Sequence, residues 1–187
     1  MTKPIEAEFV ENFLIIWNPI EGSTLYKLGF YGKPLGIPKP KIADFDVPLI
    51  LDLMEGLYLL EKGLITVHER RNSKKNKMTL KEIQHKARKL YDEFDLKYMV
   101  YKDLREKNLI VTPGIKYGCD FAVYKYGPGI DHAPYLVSVR SERDDITADE
   151  IVKAGRLATT VRKRFIIAIP DLKKKDIEYL IFKWFKA

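Results

Sequence analysis

Cysteine is nearly absent from this chain of 187 residues: Cys119 is the only one. A lone thiol excludes an internal disulfide and any cysteine-rich zinc site. Long apolar runs are missing too, since none approaches the roughly 20 residues that a membrane span requires. The opening stretch MTKPIEAEFVENF carries acidic residues where a secretory leader would be apolar. The expectation is an intracellular, cytoplasmic protein with no membrane partner. There are only three histidines, His68, His85 and His132. No cofactor is expected. Repeats and low-complexity segments are also lacking.

What the chain does have is positive charge. Lysine and arginine total 33 against 26 acids, a net charge of +7 and a pI near 9.3. Such an excess points to an anionic partner, most often nucleic acid. A lysine- and glutamate-rich surface of the thermophile kind accounts for it equally well.

The pattern along the chain is α+β. A small α/β domain is read over residues 1–94. It starts with strand-like EFVENFLIIW and YKLGFYGK. The stretch GKPLGIPKPKIADFDVP follows, too rich in proline and glycine for regular structure. It reads as a long loop with basic teeth at Lys33, Lys39 and Lys41, either a connector or a functional loop. Pro48 suits the first turn of a helix carrying Ile50, Leu53, Met54, Leu57 and Leu60, closed by Gly63. LITVHER reads as a strand and RRNSKKNK as a basic turn. Thr79 and Glu82 form a capping-box pattern ahead of a helix with Leu80, Ile83, Ala87, Leu90 and Phe94 on one face. His68 and His85 fall in these elements as ordinary surface or core-edge residues.

The second domain is read over 95–187. YMVYKDLREKN is a short amphipathic helix with Asn108 at its C-terminus. LIVTPG, KYGCDFAVYKYG, YLVSVRS, RFIIAIP and IEYLIFKWF are five strand candidates. Thr147 and Glu150 make a second capping box, opening a helix through EIVKAGRLATTVRK. Helices and strands in this order suit a mixed sheet flanked by helices.

Three polar residues of this domain attract notice: Tyr124 at the end of FAVY, His132 on the turn GPGIDHA, and Lys163 where the last helix meets RFIIAI. If those strands are neighbours, all three sit at one edge of the sheet. Composition and spacing do not make them a site. A strand tyrosine packs, a turn histidine is solvated or caps, and a lysine within RKR is a surface charge.

The ordered pieces VYKDLR, G-x-KYG-x-DF-x-VY, GP-x-x-x-HA-x-YLV and VRKR before IIAI cover roughly residues 98–170. This stretch resembles the catalytic domain of the archaeal tRNA intron-splicing endonucleases, and GFYGKPLGIPKPK resembles the crenarchaeal catalytic subunits. The resemblance implies a C-terminal nuclease domain of restriction-endonuclease-like build. It implies that Tyr124 takes the proton of the 2′-hydroxyl beside the scissile phosphate, that His132 protonates the departing 5′-oxygen, and that Lys163 stabilises charge on the phosphate. The products implied are a 2′,3′-cyclic phosphate and a 5′-hydroxyl, without a metal. Arg156 matches an arginine that clamps a flipped adenine across a subunit interface. The substrate implied is precursor tRNA with a bulge–helix–bulge, cut by a heterotetramer of two catalytic and two structural subunits. IEYLIFKWF suits the strand of a tail-to-tail dimer. The loop DLKKKD departs from the family's acidic docking loop, with lysines between Asp171 and Asp176, which weighs against a homotetramer.

Three other readings remain. A non-catalytic RNA-binding or structural subunit of the same complex would be free to lose the trio. A metal-dependent DNA nuclease needs paired acids that YLVSVRS lacks. A bare RNA-binding module is not excluded by charge alone.

Overall fold

The computed structural model describes residues 3–38, 40, 43–72, 74–160 and 163–182, without the side chains of 153 and 157–160. The chain divides into two compact units, Met1–Asp92 and Glu93–Ala187.

The first unit is a six-stranded mixed sheet in the order β3-β4-β2-β1-β5-β6. Strands β1 (Ile5–Val10) and β2 (Phe13–Ile16) form a hairpin, turned by Glu11 at a left-handed φ of 55°. Helix α1 spans Pro19–Gly29. Its N-terminus is set by the Asn18 carboxamide, which accepts from the amides of Ile20 and Glu21, with Pro19 in the first turn. The strand expected over YKLGFYGK is therefore replaced by the end of a helix. Leu25 and Tyr26 are buried on that helix, and Phe30 at φ 54° ends it.

Strands β3 (Lys33–Pro34) and β4 (Leu49–Leu51) precede α2 (Leu53–Glu61). The helix expected from Pro48 starts five residues later. Asp52 and Glu55 form a capping box there, while Leu49 and Leu51 pair with β2 and are fully buried. Glu55 is itself buried and also accepts from the Gly32 amide at 2.9 Å. Gly56 lets α2 close onto β2, since a Cβ there would stand 2.0 Å from Leu14 Cδ1.

Strand β5 (Ile65–Arg71) runs parallel to β1, and β6 (Lys74–Lys77) returns along it. The basic run read as a turn is thus mostly the arms of a hairpin. Helix α3 (Leu80–Leu90) has the expected Thr79–Glu82 capping box. It buries Ile83 and Ala87, while Leu80 and Leu90 are exposed. Phe94 is not part of that face. Glu93, at φ 53°, breaks the chain and Phe94 opens the next helix.

The second unit begins with α4 (Phe94–Glu106). Strand β7 (Ile110–Pro113) and a short 3-10 turn (Ile115–Tyr117) lead to β8 (Phe121–Tyr124). Then come β9 (Tyr135–Val139), α5 (Ala148–Thr160), β10 (Arg164–Asp171) and β11 (Asp176–Phe182). The sheet order is β11-β10-β9-β8-β7. Only β9 and β10 are parallel, with α5 as the crossover between them. The mixed sheet with helices is as expected. The Thr147–Glu150 capping box opens α5, because the hydroxyl and carboxylate reach each other's backbone amides. One face of the sheet buries Ala122, Leu136, Phe165 and Ile167 with Ala154 of α5. Arg105 is buried on α4, donating to the Tyr101 hydroxyl and the Val111 carbonyl. Strand β11 lies at the sheet edge with Leu180 and Ile181 half exposed. Residues 183–185 of the expected strand lie outside the described residues.

Candidate active site

The topology gathers the three singled-out residues at one end of the second sheet. Strand β8 ends at Tyr124, antiparallel to β9, whose first residue Tyr135 pairs with Val123. The parallel neighbour β10 starts level with β9, Arg164 opposite Tyr135. The exit of β8, the entry to β9 and the entry to β10 therefore share one rim.

The loop between β8 and β9 is held by a single carboxylate. Asp131 accepts from the amides of Lys125 at 3.1 Å, Tyr126 at 3.4 Å and Gly127 at 2.8 Å. Gly127 and Gly129 take positive φ within that turn. The next residue, His132, is exposed, and Ala133 is buried in the core cluster. The imidazole thus stands in solvent on a backbone fixed from both sides.

Lys163 is half-buried, and its ammonium reaches across to this loop. Nζ donates to the Ala133 carbonyl at 2.5 Å and lies 5.3 Å from the centre of the Tyr117 ring. The backbone locks the same join, with the Arg164 amide donating to the Pro134 carbonyl at 2.8 Å. Burial lowers the pKa of Lys163 and nearby Lys116 adds to the drop, while Asp131 opposes it. Tyr124 is also half-buried. Burial raises its pKa, helped by Tyr117 and Asp131 and countered by a hydrogen bond with Thr112.

The other residues singled out are not part of this cluster. Arg156 is exposed on α5, and no contact among the described residues ties it to the rim. Lys33 is exposed on β3 of the first unit. Lys39 and Lys41 lie outside the described residues. Three residues that the sequence reading passed over do belong here: Asp131, Tyr117 and Lys116. Asp131 was legible as an aspartate closing a glycine turn. Tyr117 and Lys116 come from a 3-10 turn seven or more residues before Tyr124 and carry no such local signal.

Cys119 offers no nucleophile, because burial, with Asp120 beside it, pushes its thiol up to about 11. Among the described residues no three His, Cys, Asp or Glu side chains group so as to hold a metal ion. No described helix is long and apolar enough to cross a membrane.

Comparison with known proteins gives this rim its family. The family model for the tRNA intron endonuclease catalytic C-terminal domain matches residues 94–179, and the model for the N-terminal domain of the same family matches residues 5–82. A tRNA-splicing endonuclease of Hyperthermus butylicus is 47% identical over 162 residues, 87% of this chain and 88% of that protein. One from Saccharolobus islandicus is 41% identical over 183 residues, 97% of this chain and 99% of its own length. One from Sulfurisphaera tokodaii is 42% identical over 181 residues, 96% and 98% of the two chains. The chain belongs to the tRNA intron endonuclease family.

This agrees with the resemblance seen in the sequence, crenarchaeal type included. The match to the catalytic domain makes the chain an enzyme of the tRNA intron endonuclease class. Tyr124, His132 and Lys163 all fall inside the span matched by the catalytic-domain model, and Lys33 falls inside the N-terminal one.

Proposed function

We propose that this protein is a catalytic subunit that excises introns from precursor tRNA at bulge–helix–bulge sites by metal-independent transesterification. In this reading the 2′-oxygen attacks the adjacent phosphorus and the bond from phosphorus to the 5′-oxygen breaks. Tyr124 faces the 2′-hydroxyl and takes its proton. His132 gives a proton to the leaving 5′-oxygen. Lys163 faces the phosphoryl oxygens as their charge grows. The ends left are a 2′,3′-cyclic phosphate and a 5′-hydroxyl.

The observation that carries the reading is the Lys163 ammonium seated on the Ala133 carbonyl, one residue from His132. Lys163 and His132 share one rim, and neither is ion-paired to a carboxylate among the described residues. His132 is exposed and open to a phosphate from solvent. The raised pKa of Tyr124 means that tyrosinate is a minor form at neutral pH. Its share, and the rate it supports, grows as the solution becomes alkaline.

The oligomer proposed is two catalytic chains with two structural ones. An apolar edge strand such as β11 needs a cover, and Leu180 and Ile181 supply its exposed surface. In that assembly Arg156 stacks on a bulge base, as a guanidinium plane suits. The basic segment with Lys33, Lys39 and Lys41 contacts RNA and sets the range of bulges cut.

The test is cleavage of an end-labelled bulge–helix–bulge RNA in EDTA, with the chain alone and with a structural subunit. The expected result is cyclic-phosphate ends for the wild type and a loss of about 100- to 10,000-fold in His132→Ala. Cleavage only after magnesium is restored would contradict the mechanism. Tight binding without cleavage under either condition would favour a non-catalytic subunit.

A further inference from the structure

The first unit contains a cleft far larger than a rotamer gap, about 590 Å³, between β5–β6 and α3. It is lined by five lysines and arginines against three carboxylates. Two of those acids are engaged. Glu69 pairs with Arg71 at 2.5 Å and with Lys86 at 3.3 Å, and the Glu82 carboxylate accepts from Thr79 in the capping box. That leaves the cations Lys77, Lys81 and Lys89 with no partner among the described residues, and all three are exposed.

Their placement follows from α3. The helix buries Ile83 and Ala87 and presents Lys81, His85 and Lys89 at four-residue intervals, one above the next. At ~1.5 Å per residue the row is about 12 Å long. Lys77, at the end of β6, stands on the same cleft.

We infer that this cleft binds the phosphodiester backbone of the RNA substrate. This rests on the proposed tRNA-cleaving function. A line of exposed ammonium groups neutralises phosphates without reading bases. A protein partner is the poorer fit. The apolar and aromatic side chains of its floor, Phe9 and Met78, are only 8% and 5% exposed, so neither projects as the kind of anchor that dominates protein interfaces.

The experiment is a salt titration of binding, with intron-containing precursor tRNA and the full chain together with its structural subunit. The triple variant Lys77→Gln, Lys81→Gln, Lys89→Gln is compared with wild type. Losing three phosphate contacts lowers the slope of log K against log salt by roughly two to three and weakens binding about tenfold at physiological salt. The single-turnover rate at saturating enzyme stays at the wild-type value. Unchanged slope and affinity in the variant, with wild type binding and cutting, overturns the inference alone. Wild type that neither binds nor cuts the RNA overturns the tRNA reading itself. A variant that fails to co-elute with the structural subunit shows a protein interface instead and overturns the inference. Helical content and melting point of the variant, matched to wild type, exclude misfolding, and Lys81→Gln alone, on the exposed face of α3, supplies a milder step in the same direction.

Discussion

The lysine at the sheet rim and the lysines along α3 are the same residue type in opposite circumstances. Lys163 is half-buried, fixed to a carbonyl and an aromatic ring, and its pKa is pushed down. Lys77, Lys81 and Lys89 are exposed and have no partner among the described residues. A preorganised cation acts on charge that develops during a reaction, since it needs no reorganisation at the moment of bond breaking. Solvated cations on flexible stems suit fixed charges, where releasing counterions supplies the affinity. In the proposed mechanism Lys163 acts on the rate, and the inferred role of the α3 row is in binding and its salt dependence.

The sharpest way to break the contrast is to remove Lys163. Lys163→Ala is expected to lower the single-turnover rate about 100- to 1,000-fold with little change in RNA affinity. Lys163→Arg is expected to recover only part of this, because a planar guanidinium does not take the ammonium's place on the Ala133 carbonyl. A fall in affinity with the rate intact would assign Lys163 to the same class as the α3 row.

The pH profile separates the groups next. Tyr124 is raised, so its neutral form persists above the ordinary tyrosine range and the rate it supports as a base rises through alkaline pH. Lys163 is lowered, so its charge is present below its folded pKa and is lost as pH rises, before the ordinary 10.5 is reached. On an RNA carrying sulfur in place of the leaving 5′-oxygen, which departs without a proton, the expected single-turnover profile rises with pH and turns over before 10.5, and in Lys163→Ala the turnover disappears. A flat alkaline limb on that RNA would mean that Tyr124 only positions the 2′-hydroxyl.

The smallest effect concerns the scaffold. Gly56→Ala pushes a methyl into Leu14, 2.0 Å from its Cδ1. It is expected to destabilise the first unit by about 1–3 kcal/mol, read by denaturant melting. The rate at the rim should be unchanged in the folded protein. A matching loss of single-turnover rate would show that the second unit's chemistry depends on the packing of the first.

What could be read from the sequence follows the range of the interactions. Both Thr–Glu capping boxes were visible because each is complete within four residues. The five strands of the second unit were visible because each is an apolar run ended by turn residues. Helix α1 was missed because Tyr26, Leu28 and Phe30 alternate with polar or small residues as a strand would. The deciding group, Asn18, lies eight residues earlier. Pro48 was given a helix start that Asp52 and Glu55 take instead. At the rim, motif resemblance singled out Tyr124, His132 and Lys163. The Asp131 carboxylate binds amides only four to six residues earlier and is a local turn feature, whereas the Lys163 contact with a carbonyl 30 residues away depends on tertiary structure.

The most direct test of the central claim replaces the leaving 5′-oxygen at the splice site with sulfur. A thiolate leaves without a proton, so a variant that lacks only the general acid regains its rate. The expected result is that His132→Ala cleaves the sulfur-substituted RNA at close to the wild-type rate, while Lys163→Ala stays slow on both substrates. His132→Ala that remains as slow on the sulfur substrate as on the natural one would contradict the assignment of His132 as the proton donor.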